Sequence, residues 1–199
     1  MIAEQEQRAR PPCRRRLAIL VTALLLATTI VGYVWHDSRT PKRFAAVVDG
    51  LLYRSGGVSP RQLEYISQRY GIRTVISLLN PDAPESIAER EAAERLGLTW
   101  HNIPLRGNGS STRADRDRIR ELLARPPAEP TLVHCAAGTN RTGLAIGIYR
   151  IRHDGWTVER VIDEMLRFDF ENEANHANLR DALAAEAALA RDRKPRSAP

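Results

Sequence analysis

The stretch LVHCAAGTNRTG, residues 132–143, decides how the rest of the chain is read. It closes TLVHC (131–135), a short apolar and β-branched run that predicts a buried strand. Ala136, Ala137, Gly138, Thr139 and Asn140 follow, and Arg141 and Thr142 then open a helical pattern reaching about His153. A strand that turns into a helix over a few small residues points successive backbone N–H groups into one concavity. The helix N-terminus adds partial positive charge, so the loop suits a tetrahedral dianion. Gly138 permits a backbone conformation that a side chain would obstruct. The planar guanidinium of Arg141 can grip two oxygens of the same anion, which a lysine could not do.

The same field acts on Cys135. A thiol ringed by N–H donors, near a guanidinium and a helix N-terminus, loses its proton well below the free value of about 8.5. The thiolate is then placed for in-line attack on bound phosphorus, forming a phosphoenzyme that water hydrolyses. Residues 136–141 cradle the phosphate, Thr142 can donate its hydroxyl to the sulfur, and His134 is expected to orient the loop from below by a side-chain hydrogen bond. Singly, each residue reads as ordinary core or first-turn chemistry. Together, as HCxxGxxRTG between a buried strand and a helix, they read as a phosphate loop.

HCAAGTNRTG resembles the active-site signature of the cysteine-based protein tyrosine phosphatases, dual-specificity branch. FAAVVDGLLYRSGGVSPRQLEYISQRYGIRTVISLLN (44–80) is similar to the opening of compact atypical members of that branch, and the resemblance covers residues 44–168. It implies an α/β fold with a central, mostly parallel sheet flanked by helices, no metal or cofactor, and phosphate monoester substrates. It makes Cys135 the nucleophile, Arg141 the phosphate clamp and Thr142 the hydroxyl that assists thiolate release. Such enzymes commonly use an Asp as general acid on a loop that corresponds to NIPLRGNG (102–109), and this segment holds no carboxylate. Asp115 is the preferred candidate, ahead of Asp117 and the remoter Asp82; as first-turn residues Asp115 and Asp117 could equally serve a helix dipole. A missing acid favours leaving groups that need little protonation, such as aryl phosphates and phosphoanhydrides. RGNGSST (106–112) also resembles the corresponding loop of relatives that cleave inositol pyrophosphates.

Upstream, VVDGLLYRSG (47–56) predicts a hairpin turning at Asp49-Gly50. Ser59-Pro60 opens a helix that Gly71 stops. IRTVISLL (72–79) and LTWHNIPL (98–105) read as strands, and 85–97 and 114–124 as helices, the latter capped by Thr112. A helix at 157–168 is capped by Thr157, and a last one spans about 177–192. This alternation predicts a sheet with parallel strands and covering helices.

At the N-terminus, LAILVTALLLATTIVGYVW (17–35) carries no charge and would span about 28 Å as a helix, close to the bilayer hydrocarbon thickness. The run is long and its far end bulky, which favours an uncleaved signal anchor over a cleaved signal peptide. It is apolar on every face, which disfavours a core helix. Five Arg precede it, whereas Arg39, Lys42 and Arg43 follow, so the N-terminus is expected in the cytoplasm and the domain outside, in a bacterium the periplasm. The organisation expected is a basic segment at 1–16, the anchor at 17–35, a linker at 36–43, the phosphatase domain at 44–176, and a C-terminal helix with basic tail at 177–199.

The net charge of +6 lies at the two ends, residues 1–16 and 191–199, and the span between them balances to zero. A nucleic-acid surface would leave the folded domain itself positive, so that class is set aside. The two cysteines, Cys13 and Cys135, flank the apolar run on opposite sides, which argues against a disulfide and a zinc site alike. The expected partners are a phosphorylated protein, a phospholipid or an inositol phosphate, and the membrane through 17–35. Positions 136–140 contain no Lys, which tilts the reading toward phosphotyrosine-type protein substrates. A non-catalytic phosphate-binding module is the alternative of another class, and a rhodanese-type sulfur transferase fits the His before and the Arg-Thr-Gly after Cys135 less well.

Overall fold

Five short strands, β1 (Ala45–Val48), β2 (Leu52–Ser55), β3 (Thr74–Ser77), β4 (Thr99–Asn102) and β5 (Thr131–His134), form one sheet in the order β1-β2-β5-β3-β4. The computed structural model describes residues 13–123, 128–171 and 176–192, without the side chains of 13–16 and 30–38. β1 and β2 are the expected hairpin, with Gly50 at φ 73°, and pair antiparallel. The pairs β2–β5, β3–β5 and β3–β4 are parallel, as the alternation of strands and helices requires. β5 is therefore hydrogen-bonded along both edges, and its last residue, His134, lies level with Ser55 and Ser77. Cys135 leaves the sheet at the carboxyl end of this central strand, where returning connections leave a crevice in open α/β sheets.

Side-chain alternation divides the core. Tyr53, Val75 and Leu132 pack with Leu63 and Ile66 of α2 (Pro60–Tyr70) and with Ala92 and Ala93 of α3 (Pro84–Arg95). Leu52, Ile76 and Val133 face the other way, toward α4 (Arg113–Leu122), α5 (Asn140–Tyr149), α6 (Val158–Leu166) and α7 (Ala177–Asp192). The caps are the ones the sequence predicts: Ser59, Thr112 and Thr157 accept first-turn N–H groups, and Gly71 closes α2 at φ 69°. α5 is buried from Thr142 through Tyr149 and continues as a π-helical turn, Arg150–Asp154. Its Gly147 admits close neighbours, since a Cβ there would lie 2.6 Å from Val161 and 2.8 Å from Leu183.

One boundary near the N-terminus differs from the sequence reading. The linker expected over 36–43 is helical as far as Arg39, because α1 (Cys13–Arg39) meets no breaker before Thr40-Pro41. Met1–Ser38 forms a unit apart from Arg39–Pro199. Among the described residues no helix is long and apolar enough to cross a membrane; the described side chains of α1 run from Leu17 to Thr29, and residues 30–35 of the expected span lie outside them. The expected basic segment 1–16 and the tail from 193 onward likewise fall outside, apart from the helical backbone of 13–16.

α7, set apart in the sequence reading, belongs to the core. Leu179 and Leu183 are fully buried, and so is Glu186. Glu186 Oε1 accepts from Arg116 Nε at 3.2 Å and Arg120 Nη1 at 2.6 Å, with Arg152 Nη1 3.9 Å from its second oxygen. One carboxylate thus ties α7 to α4 and the π-helical turn. Glu186→Ala strands these guanidiniums without their buried counter-charge. It is expected to cost about 3–5 kcal/mol, read as a lower denaturant midpoint in equilibrium unfolding of the full chain.

Candidate active site

Cys135 is buried, and the loop folds back over it so that the Gly138 N–H donates to Sγ at 3.2 Å. Gly138 has φ 81°, and a Cβ there would stand 2.7 Å from the Gly56 nitrogen and 2.9 Å from the Ser55 carbonyl carbon. Those neighbours are backbone and cannot yield, so the loop requires glycine at this position for space as well as for conformation. Burial pushes the Cys135 thiol up. The Thr142 hydroxyl, the Thr142 amide, the charge of Arg141 and the Gly138 amide act against it, and together they hold the thiol below its ordinary value. Thr142 is fully buried, and its hydroxyl also lies 3.4 Å from the Ser55 carbonyl. Arg141 is braced by donating from Nη1 to the Leu78 carbonyl at 3.2 Å, beyond the end of β3.

The carbonyls of the loop point outward. Ala136 O accepts from Gly57 N at 2.8 Å, Ala137 O from Arg43 Nη1 at 2.8 Å, and Gly138 O from Arg54 Nη2 at 2.7 Å. Thr139 is the N-cap position of α5, without a side-chain cap. Asn140 serves the wall of the site: its Nδ2 lies 3.1 Å from His176 Nε2 and 3.5 Å from Gly107 O. Asn178 of α7 donates to Asn108 O at 3.1 Å, so the segment 106–110 is held from two sides.

Two expectations are corrected. His134 does not bond to the loop. Side chains alternate along β5, so His134 points to the α3 face while Cys135 points to the other. Its Nε2 lies 3.0 Å from Oε1 of Glu89, which also accepts from Trp100 Nε1 at 2.7 Å, and its Nδ1 has no partner. Asp115 stands in a capping box: its Oδ2 accepts from the Thr112 N–H at 2.7 Å and the Thr112 hydroxyl at 2.8 Å. Asp117 pairs with Arg120 within α4. Asp115 serves its own helix N-terminus, as first-turn acids do, and Asp117 is held by Arg120 further along the same helix.

Sequence reasoning missed Arg43, Arg54, Glu89 and His176 as parts of the site. A sign of Arg54 was present in YRSGG (53–57), where a charged residue interrupts a strand. Nothing in the sequence says that all four residues of β2 are buried.

With this geometry in place, comparison with known proteins is direct. The sequence profile of the tyrosine phosphatase family matches residues 39–187. The chain belongs to the tyrosine phosphatase family. It is a cysteine-dependent phosphatase of the atypical dual-specificity branch. It is 31% identical to the dual specificity protein phosphatase TpbA of Pseudomonas aeruginosa, over 86% of this chain and 78% of that one. The crystal structure of TpbA superposes with a TM-score of 0.58 at 25% identity, covering 77% of this chain and 99% of that one. The catalytic core of the phosphatase SIW14 of Saccharomyces cerevisiae shares the fold, with a TM-score of 0.63 at 22% identity over 77% of this chain and 92% of that one.

As a family member, the chain should show a thiol that reacts while most thiols are protonated. Iodoacetamide labelling of Cys135, separated from Cys13 by peptide mass mapping, is expected to persist below the ordinary thiol value of about 8.5. The rate should fall only as pH drops through the depressed pKa. Thr142→Ala removes the hydroxyl and keeps the amide, and should move that midpoint upward; an unmoved midpoint would contradict the assignment of the hydroxyl to the sulfur.

Proposed function

We propose that this phosphatase hydrolyses phosphotyrosine-type esters on proteins while held at a membrane by α1. The observation that carries the reading is the buried Cys135 thiol, held below its ordinary value beneath inward-facing N–H groups and beside Arg141. In the proposed reaction Arg141 and the amides of residues 136–141 hold the equatorial oxygens of the dianion. The Cys135 thiolate forms the S–P bond as the P–O ester bond breaks, and the alcohol oxygen leaves with the bonding pair. Water then cleaves the S–P bond, releasing inorganic phosphate and restoring the thiolate, which Thr142 stabilises.

Asp115 was the sequence candidate for protonating the leaving oxygen, but its carboxylate is engaged by Thr112. We take the leaving group to depart without it. Phenolates and phosphates leave readily in that case, and alkoxides such as that of serine do not. Phosphoanhydrides meet the same condition. The inositol diphosphatase SIW14, 25% identical over 65% of this chain and 46% of that one, makes inositol pyrophosphates the second reading. The chain spans about half the length of that relative. The absence of Lys from positions 136–140 supports the protein substrate.

The membrane reading rests on the uncharged run 17–35 and on a helix that exposes Leu17, Ile19, Leu20, Leu24 and Leu25 each by more than 60%. So much exposed leucine calls for an apolar surround. The flanking charges orient it with the N-terminus cytoplasmic and the domain outside.

The full chain is expected to release phosphate from para-nitrophenyl phosphate and from phosphotyrosine peptides, with Cys135→Ser inactive. Phosphoserine peptides should turn over at least about tenfold more slowly, a barrier difference near 1.4 kcal/mol. Equal rates on the two peptides, or a large loss in Asp115→Asn, would show that a side-chain acid acts after all. Faster turnover of a diphosphoinositol polyphosphate than of any phosphotyrosine peptide would favour the second reading. In cells, the chain should stay with membranes through alkaline carbonate washing, and release into the wash would refute the anchor.

A further inference from the structure

Three consecutive carbonyls of the phosphate loop are gripped from outside, and planar trans peptides give this a consequence. In each such unit the C=O and the following N–H point in opposite directions. Holding Ala136 O on Gly57 therefore turns the Ala137 N–H inward. Holding Ala137 O on Arg43 turns the Gly138 N–H inward, and that N–H is the one found 3.2 Å from Cys135 Sγ. Holding Gly138 O on Arg54 turns the Thr139 N–H inward. A flip of either guanidinium-held peptide would put an oxygen where the phosphate needs a donor.

The two arginines are not ordinary surface residues. Arg54 is 1% exposed, stacks 3.6 Å from the centre of the Phe168 ring, and leaves Nε and Nη1 without hydrogen-bond partners. The charged groups acting on it are Glu164, Cys135, Arg150 and Arg43; burial lowers its pKa to about 10, so it is still charged at neutral pH. A buried cation without a paired carboxylate is costly. An anion on the other side of the loop, thiolate or phosphate, offsets that cost. Arg43 and Asp169 form an ion pair at 2.7 Å, and among the described residues they are the two non-glycine residues with positive φ, 53° and 60°. Backbone strain held on both partners of one contact is the kind retained where geometry matters for function. The neighbouring Lys42 carbonyl accepts from Gly56 N at 2.7 Å, so the segment that follows α1 is stitched to the loop's supports.

We propose that Arg43 and Arg54, both outside the HCxxGxxRTG signature, are positioning residues that hold the loop peptides with their N–H groups turned toward the phosphate. The inference builds on the reading of 135–141 as the phosphate site. Arg54 also supplies positive charge behind the nest, and Arg43 brings the chain just after the N-terminal helix into the site's construction.

The test uses the full chain in detergent and one assay with two readouts. Iodoacetamide labelling of Cys135 gives the pH midpoint of the thiol, and the inorganic phosphate concentration that protects Cys135 gives anion affinity. Arg54→Met and Arg43→Ala are each expected to need on the order of tenfold more phosphate for protection and to raise the midpoint, with thermal melts showing a folded domain. Arg54→Lys should recover the midpoint, because charge is kept, and not the phosphate affinity, because the reach to Gly138 O is lost. Folded variants with wild-type midpoint and protection would overturn the proposal. If Arg54→Met does not fold, Arg43→Ala decides, its side chain being 28% exposed. A wild-type chain with an ordinary thiol and no protection by phosphate would remove the nest itself, a failure distinct from unchanged variants.

Discussion

A thiolate buried beneath a protein surface is stable only where donors and positive charge converge on it, and the arrangement around Cys135 answers to that constraint. Desolvation alone would keep the sulfur protonated. Lowering its pKa takes a hydroxyl, two amides and a guanidinium, and each must be held by something else. Gly138 reaches the sulfur because the loop packs directly onto the backbone of Ser55 and Gly56. Arg141 is aimed by the Leu78 carbonyl, and Thr142 is fixed in a helix buried on all sides. The supports come from the ends of β2, β3 and β5, the three strands whose pairing makes the crevice.

Charge is balanced differently on the two faces of the sheet. On the α3 face, Glu89 accepts from Trp100 and lies 3.0 Å from His134 Nε2, a buried polar contact under the strand that delivers Cys135. On the other face Arg54 lies buried without a carboxylate partner, while Glu186 collects the guanidiniums of Arg116, Arg120 and Arg152. The buried positive charge of Arg54 thus lies directly against the phosphate loop. A domain whose formal charge is close to zero can in this way place positive charge directly behind the phosphate loop.

The walls follow the same economy of borrowed supports. The segment 106–110 is held by Asn140 from the phosphate loop and by Asn178 from α7. Gly109, at φ 80°, lies so close to Leu179 that a Cβ would stand 2.7 Å from it. α7 is therefore a structural part of the active-site wall as well as of the core. Its removal would take away the Asn178 and Leu179 contacts that hold this segment.

The sequence by itself determined the strand–loop–helix around Cys135, the hairpin turn at Gly50, the caps Ser59, Thr112 and Thr157, and the parallel arrangement of the sheet. These are short-range matters: spacing, turn chemistry and periodicity act between residues a few positions apart, and Cys135 through Thr142 are contiguous. Tertiary structure alone decided where His134 points, what Asp115 does, and that Arg43, Arg54, Glu89 and Glu186 matter. His134 and Cys135 are neighbours in sequence and face opposite sides of the sheet. Asp115 is claimed by Thr112 before any substrate could use it. Arg54 reads as one charged residue in a strand until β5 pairs beside it and Phe168, just past α6, stacks on it. Its role is set by partners 84 residues away along the chain, Arg43's by one 94 residues away, and a contact across such separations exists only once the sheet has closed.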